Sequence, residues 1–397
     1  MARLARVEVF SPDEVAIVHV MNRVVRRCFL FGIDPVSGKN FDHRKIWIED
    51  QLRVQAACFG IDVLGFAILS NHFHLILRSR PDCVEKWDDT EVARRWLMLC
   101  PVRKDQQGHA AEPNDVELNS IRNDKDRVQT IRSRLSDVSW WMRLLCQQIA
   151  VRANTEDKEV GRFFQSRYRA VRLLDEQALV ACAAYVDLNP IRATMSETLE
   201  ASDFTSVQRR IQSVQAADSP ATAVSIPSEA SVATRAVAAS TRSGGSNPVN
   251  PVDVSPVAAN SVMANADQFL APVELNQRTG KTGAVLNQEG TRCSDKGFLA
   301  MSLDDYLKLL DWTGRQIVRG KKGRIPKSVE PILQRLKLDR HSWCELVGKF
   351  GKRFFHVAGE PTTIDATTSR LSQHRYYIPS ETRILFSEIK PRRTTPA

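Results

Sequence analysis

The eight cysteines of this 397-residue sequence include no Cys-x-x-Cys pair. Zinc fingers and disulfide-stapled secreted domains need closely spaced cysteines, so the spacing argues against both classes. Long apolar runs are missing too, since the stretch ALVACAAYV ends at Asp187, well short of a membrane span. The opening residues, MARLARVEVFSPDE, lack the apolar core of a secretory signal. We therefore expect a soluble protein with reduced thiols and no membrane partner.

Aromatic residues are absent from Val214 to Asn265, where Ala, Ser, Val, Pro, Thr and Asn predominate. Such a segment buries too little apolar surface to offset the entropy lost on ordering. The composition predicts three parts: a first domain over 1–213, a flexible linker over 214–297 and a helical module over 298–397.

Positive charge is concentrated in the last of these parts. The net charge is +2 over residues 1–213, −1 over 214–297 and +9 over 298–397. A basic excess in one quarter of the chain favours an anionic partner, most often nucleic acid, although a solvated basic surface remains the alternative. Within RGKKGRIPK, five side chains could contact DNA phosphates, or could belong to an ordinary exposed turn: Arg319, Lys321, Lys322, Arg324 and Lys327.

Residues 1–213 alternate between strand-like and helix-like patterns. The predicted strands are 14–25, 61–69, 72–78 and 167–174, and the predicted helices are 41–60, 90–99, 136–157 and 175–189. The short turn at Ser70-Asn71 makes two neighbouring strands antiparallel. The polar stretch 101–130 is interpreted as a loop insertion. The fold class predicted is α+β, a small antiparallel sheet with packed helices.

The segment LSNHFHLILRS places His72 and His74 one residue apart on a predicted strand. Alternate side chains of a strand share a face, so both imidazoles point the same way, as a divalent metal site requires. The alternative is that one histidine belongs to the core and the other is solvated.

A second group lies on the predicted helix 175–189, where Tyr185 and Asn189 are one turn apart on the same face. A helix-borne phenol beside an amide oxygen, facing a His-x-His strand, suits metal-assisted cleavage of a phosphodiester. Only Tyr168 and Tyr185 are tyrosines of the first 213 residues. A tyrosine at such a position, taken alone, is more often a packing residue than a nucleophile.

The motif NHFHL resembles the His-hydrophobic-His (HUH) motif of single-tyrosine transposases. The later stretch GRFFQSRYRAV…AAYVDLNPIRA resembles their Gln-x-Arg-Tyr segment and their Tyr-x-x-Leu-Asn-Pro helix. REP-associated tyrosine transposases are the branch most similar, and the resemblance covers residues 10–210.

This resemblance implies an HUH-nuclease-like, ferredoxin-like domain with Tyr185 as nucleophile and His72, His74 and Asn189 as metal ligands. It implies cutting and rejoining of single-stranded or hairpin DNA through a 5′-phosphotyrosine, without a nucleotide cofactor, in the bacterial cytoplasm. It leaves open a homodimer that exchanges the tyrosine helix. The imidazole and oxygen donors favour Mg²⁺ or Mn²⁺. Four arginines flanking the site could hold phosphates or lie on an exposed sheet edge: Arg162, Arg167, Arg169 and Arg172.

Two other functions remain consistent with the residues. One is a catalytically silent DNA-binding protein, such as a domesticated repressor of its own mobile element. The other is a metal hydrolase of small molecules, which would not need the basic C-terminal module.

Overall fold

The computed structural model describes residues 9–11, 13–25, 28–106, 108–165, 167–218, 265–275, 285–317, 327–370 and 376–386. The described strands are β1 (Ile17–Arg23), β2 (Ile61–Ile68), β3 (His72–Ser79), β4 (Arg169–Leu173) and β5 (Val357–Ala358). The longer helices are α1 (His43–Cys58), α3 (Asp89–Leu99), α4 (Asp115–Arg122), α5 (Lys125–Leu135), α6 (Val138–Asp157), α7 (Glu176–Asp187), α9 (Ser206–Asp218), α10 (Leu303–Ile317), α12 (Arg340–Arg353) and α13 (Pro361–Arg370). The short helices are α2 (Pro81–Val84), α8 (Asn189–Arg192), α11 (Glu330–Arg335) and α14 (Ser380–Ile384).

The strands form one sheet in the order β2-β3-β1-β4-β5. The first three pairings are antiparallel, which confirms the predicted α+β class, but β5 runs parallel to β4. The sheet is therefore mixed, and its parallel edge strand was not predicted. A two-residue strand carries almost no pattern of its own, so β5 becomes a strand through its pairing with β4.

Helices cover both faces of this sheet. On one face, Asn22 donates to Cys146 Sγ and the Tyr168 hydroxyl donates to Ser139 Oγ, and both acceptors belong to α6. On the other face, Tyr185 of α7 and Phe350 of α12 contact the ring of His19 in β1. All eight residues of β2 are buried, as expected for a strand covered on both sides.

The stretch 101–130 is not a plain loop, because it contains α4 and the beginning of α5. Asn114 and Glu117 form a reciprocal capping box at the start of α4, and the Asp124 side chain accepts from Arg127 N at the start of α5. These caps satisfy the first backbone N–H groups of helices whose sequences are mostly polar. At the start of α6, the Asp137 side chain accepts from Ser139 N.

Parts of the predicted linker are packed against the sheet. Residues 214–218 continue α9, while Ala271 N donates to Val63 O at 2.9 Å and Ser294 N donates to Asp62 Oδ1 at 3.0 Å. The predicted linker is therefore too long. Residues 265–275 and 285–297 pack on the folded protein, and their buried apolar side chains include Phe269 and Leu270. Residues 219–264 and 276–284 lie outside the described part of the chain.

The described residues of the segment 298–397 pack on the same sheet rather than apart from it. It contributes β5, and the buried Tyr306 of α10 donates its hydroxyl proton to Asp187 at the end of α7. Among the described residues, no helix is long and apolar enough to cross a bilayer.

Candidate active site

His72 and His74 lie on the β3 face that is covered by α7 and α12. Their ring centroids are 4.9 Å apart, and His74 is only 2% exposed. In the register, Met21 lies opposite His74 and Arg23 lies opposite His72. The shared face is the one that the His-x-His spacing predicts.

A third histidine, His19 of β1, belongs to this group and was missed in the sequence. Its Nε2 lies 2.9 Å from His74 Nδ1, and the two rings are stacked with centroids 5.1 Å apart. The available signal was the alternation in HVMNR, which places His19, Met21 and Arg23 on one face of β1. Recognising it requires the β1–β3 register, because 54 residues separate the two histidines in sequence.

Burial keeps these three imidazoles neutral at neutral pH. Desolvation, with the positive charge of Arg169, lowers the pKa of His19 to about 3. Desolvation, with the charge of Arg23, lowers the pKa of His72 to about 4. The pKa of His74 is also held well below its usual value, first by burial and then by the neighbouring histidines. A neutral imidazole offers the lone pair that a metal ion needs.

The hydrogen bonds leave one nitrogen on each β3 histidine for a ligand. His72 Nδ1 lies 2.7 Å from Asn71 Oδ1, and because an amide oxygen only accepts, Nδ1 carries the proton and Nε2 does not. His74 Nε2 is buried with no hydrogen-bond partner, and it offers a lone pair when His74 Nδ1 is the donor to His19 Nε2. Metal-binding histidines commonly use one nitrogen in this way and coordinate through the other. The Nε2 atoms of the two histidines are donors of the kind that a divalent cation takes, and of the two rings only His74 lines the cavity described below.

The described residues contain no group of three or more His, Cys, Asp and Glu side chains suited to a metal ion. Further ligands of a cation on His72 and His74 would therefore be of other kinds. Asn189, the first residue of α8, is 7% exposed and its Nδ2 has no hydrogen-bond partner in the described structure. It does not line the cavity described below.

Tyr185 faces the histidines from α7. Its ring centroid lies 5.5 Å from that of His74 and 5.9 Å from that of His19, both edge-on. The guanidinium carbon of Arg192 lies 4.6 Å from the centroid of the same ring. Tyr168 is on the opposite side of the sheet, against α6. The structure thus brings Tyr185, and not Tyr168, to the histidines.

A cavity of about 260 Å³ opens beside Tyr185. Its lining includes His19, His74 and Tyr185, and every charged residue in it is a cation. These cations are Arg23, Arg169, Arg192, Lys349 and Lys352. With no carboxylate in the lining, the cavity is electrostatically suited to an anionic ligand.

The outer wall of the cavity is the last part of α12, residues 348–352, together with Phe354. The helix is kinked at Lys349, where φ is −123° and ψ is 15°. A side-chain carbon at Gly351 would lie 2.7 Å from the Tyr185 hydroxyl oxygen, so glycine makes room for the phenol. Phe350 packs on the Tyr185 ring with centroids 5.7 Å apart.

The arginines and lysines proposed from the sequence have different positions. Arg169 lines the cavity and donates to the carbonyl oxygens of Gly351 and Phe354. Arg172 points to the other face of the sheet, in a two-pronged ion pair with Glu14 at 2.7 and 2.8 Å, so it is not part of this site. Three of the proposed cations are exposed and do not line the cavity: Arg162, Arg167 and Lys327. Outside the described residues lie Arg319, Lys321, Lys322 and Arg324.

Comparison with solved structures found a REP-associated tyrosine transposase bound to a REP hairpin. The match has a TM-score of 0.29 and 12% sequence identity, and it covers 60% of this chain and 100% of that chain. Both values are too low to support a conclusion about this protein. A scan against known protein families and a search of curated proteins found no match.

Proposed function

We propose that this protein is a metal-dependent transposase or transposase-derived endonuclease that cuts and rejoins DNA through Tyr185. The observation that carries the proposal is the position of Tyr185. Its ring lies 5.5 Å from the buried His74, whose Nε2 is available for a ligand, in a cavity whose charged lining is entirely cationic.

In the proposed reaction, the Tyr185 oxygen attacks the phosphorus of a DNA phosphodiester. A bond forms between this oxygen and phosphorus as the bond from phosphorus to the 3′ oxygen breaks, and the phenol gives up its proton as the leaving oxygen gains one. The products are a 5′-phosphotyrosine and a free 3′-hydroxyl. Because the phosphoester is retained, the reverse attack rejoins the strand without a nucleotide cofactor.

The cationic lining supports this reaction electrostatically. Negative charge builds up on the phosphate oxygens during attack, and Arg192 and Arg169 are held beside Tyr185 before the substrate arrives. Fixed charges of this kind need no reorganisation at the moment of reaction.

His72 and His74 would hold Mg²⁺ or Mn²⁺ through Nε2, with Asn189 as a further oxygen ligand. Such an ion, when bound, supplies Lewis-acid polarisation of the phosphate. The unpaired Nδ2 of Asn189 is an N–H donor and cannot itself bind a cation, so the proposed role rests on Asn189 Oδ1.

Single-stranded or hairpin-containing DNA is the proposed substrate. The cavity volume of about 260 Å³ lies near the lower limit of small-molecule sites, about 300 Å³. A cavity of this size has room for one phosphodiester with part of a nucleoside, and a base that is unpaired in a single strand enters such a space without the cost of leaving a duplex stack.

The test is a covalent adduct. Purified full-length protein is incubated with a hairpin oligonucleotide carrying a single-stranded flank, in Mg²⁺, in Mn²⁺ or in EDTA, and then denatured. We expect a denaturant-resistant protein–DNA band with either metal and none in EDTA. Peptide mapping should locate the DNA on Tyr185.

A catalytically silent DNA-binding protein is the second candidate, and one observation favours it. Gly351 and Phe350 pack directly on the Tyr185 ring, which restricts the space for attack. Tight binding of the same oligonucleotide with no adduct in either metal would support this candidate. Indifference to DNA would instead support a metal hydrolase of small molecules.

A further inference from the structure

Lys352 differs from the other cations of the cavity in its surroundings. It is exposed, it lines the cavity, and within the described part of the chain its ammonium group makes no ion pair or hydrogen bond. It belongs to α12, so it comes from the C-terminal segment and not from the first 213 residues.

Two neighbouring cations of α12 share one carboxylate. Glu345 accepts from Lys349 Nζ at 2.8 Å and from Arg353 Nη2 at 2.9 Å, and these contacts help hold the pKa of Glu345 below its usual value. One carboxylate thus serves two cations on either side of Lys352. Among the described residues, no carboxylate is paired with Lys352 at the cavity wall.

The guanidinium of Arg192 also has partners within the protein. It donates to the Gly348 carbonyl oxygen at 2.6 Å while it stacks on Tyr185. Arg192 therefore holds the phenol and the α12 turn in place. Lys352 has a long aliphatic stem and three N–H donors that are free to follow a ligand.

We propose that Lys352 binds a backbone phosphate of the substrate strand, so that the C-terminal segment completes the tyrosine site. This inference rests on the proposed DNA substrate. It places the contact of the C-terminal segment at the cavity wall rather than at the basic stretch 319–327.

The test measures DNA binding without chemistry. A fluorescein-labelled hairpin with a single-stranded flank is titrated with full-length protein in EDTA, and anisotropy gives the affinity at several salt concentrations. Lys352→Gln should reduce the slope of log K against log salt by about 0.7, the value for one phosphate contact on a single strand. Lys352→Arg should restore the slope.

Lys349→Gln is the matched control, because it removes the same charge from the same turn but from a side chain already paired with Glu345. We expect a smaller change in slope than for Lys352→Gln. The inference is overturned if Lys352→Gln leaves the slope unchanged, or if both glutamine variants change it equally.

These outcomes are separable from those of the proposed function. Loss of slope in Lys352→Gln without any adduct in the wild type would support the phosphate contact and overturn the proposed chemistry. An adduct in the wild type with an unchanged slope in Lys352→Gln would support the proposed chemistry and overturn the phosphate contact of Lys352.

Discussion

At the residue scale, the sheet separates the two phenols of the first 213 residues. Tyr185 contacts His74 on one face, while the buried Tyr168 donates to Ser139 Oγ at 3.2 Å on the other. Tyr185→Phe should therefore abolish the covalent adduct and leave DNA binding intact. Tyr168→Phe should keep the adduct, at a stability cost of about 1 kcal/mol for the lost hydrogen bond.

Denaturing gels measure the adduct, and urea unfolding measures stability. An adduct that survives in Tyr185→Phe and maps to Tyr168 would contradict the assignment. Because each variant removes a single hydroxyl, the comparison isolates the oxygen from the packing of the ring.

The buried histidines also predict a pH dependence of folding. The pKa of His19 falls from 6.5 to about 3 on folding, so the unfolded chain binds the proton first as the pH drops. Stability is fully present above about pH 6.5 and is lost as the pH falls towards 3. At about 1.4 kcal/mol per pKa unit, His19 should lower the free energy of unfolding by about 2 kcal/mol between pH 7 and pH 5.

Urea unfolding at the two pH values, in EDTA, measures this loss. His19→Gln should shrink the difference between pH 7 and pH 5, whereas His109→Gln, at a side chain that is 79% exposed, should not. An equal pH dependence in His19→Gln and the wild type would show that His19 is not the titrating group.

The sequence predicts part of this site and not the rest, for a physical reason. Strand alternation is local, so the shared face of His72 and His74 follows from their spacing. The placement of His19 depends on pairing between β1 and β3, and that of Lys352 on packing across the whole chain. Long-range contacts of this kind leave no periodic signal near the residue itself.

At the element scale, α6 has a local periodic signal in the sequence, whereas α4 has almost none. The apolar face of α6 makes it visible as a helix in the sequence, with buried Trp141, Leu145 and Ile149. In the polar α4, only Ile121 is buried, so periodicity is weak. The visible signal was the cap, Asn114 followed three residues later by Glu117.

Three elements meet at Asp187, the last residue of α7. Its carboxylate accepts from Ser206 Oγ at 2.6 Å, from Val207 N at 3.0 Å and from the Tyr306 hydroxyl at 2.7 Å. The pKa of Asp187 is raised by burial, and these hydrogen bonds oppose the rise. This carboxylate therefore joins α7 to α9 and α10.

Asp187→Ala should destabilise the protein strongly, because three buried donors lose their acceptor at about 1–3 kcal/mol each. Tyr306→Phe should cost less, because it removes one donor and leaves the other two in place. Chemical denaturation measures both. A larger loss in Tyr306→Phe than in Asp187→Ala would contradict the role of Asp187 as the shared acceptor.

At the scale of the whole molecule, the described part of residues 298–397 shares a core with the sheet. Phe350 is fully buried and contacts both His19 and Tyr185, and β5 is paired with β4. We expect a single unfolding transition in calorimetry, with equal calorimetric and van't Hoff enthalpies.

Phe350→Ala should lower the midpoint of that whole transition, at a cost of about 3–5 kcal/mol for a buried aromatic. Two separate transitions, with only one of them shifted by Phe350→Ala, would instead show that the C-terminal segment unfolds independently. Deleting 298–397 would expose the core beneath α12. A loss of DNA binding in that deletion could therefore come from unfolding, so the deletion is a poor test of DNA binding.

The part of α12 that lines the cavity is translated long after Tyr185. Gly351 follows Tyr185 by 166 positions in the chain. At about 5–20 residues per second, a ribosome needs roughly 8 to 33 s to travel that distance. During this interval the nascent chain lacks α12, and with it the fully buried Phe350 that packs on His19 and Tyr185. The cavity therefore cannot be complete before Gly351 has been translated, and a chain that ends before α12 would lack this wall.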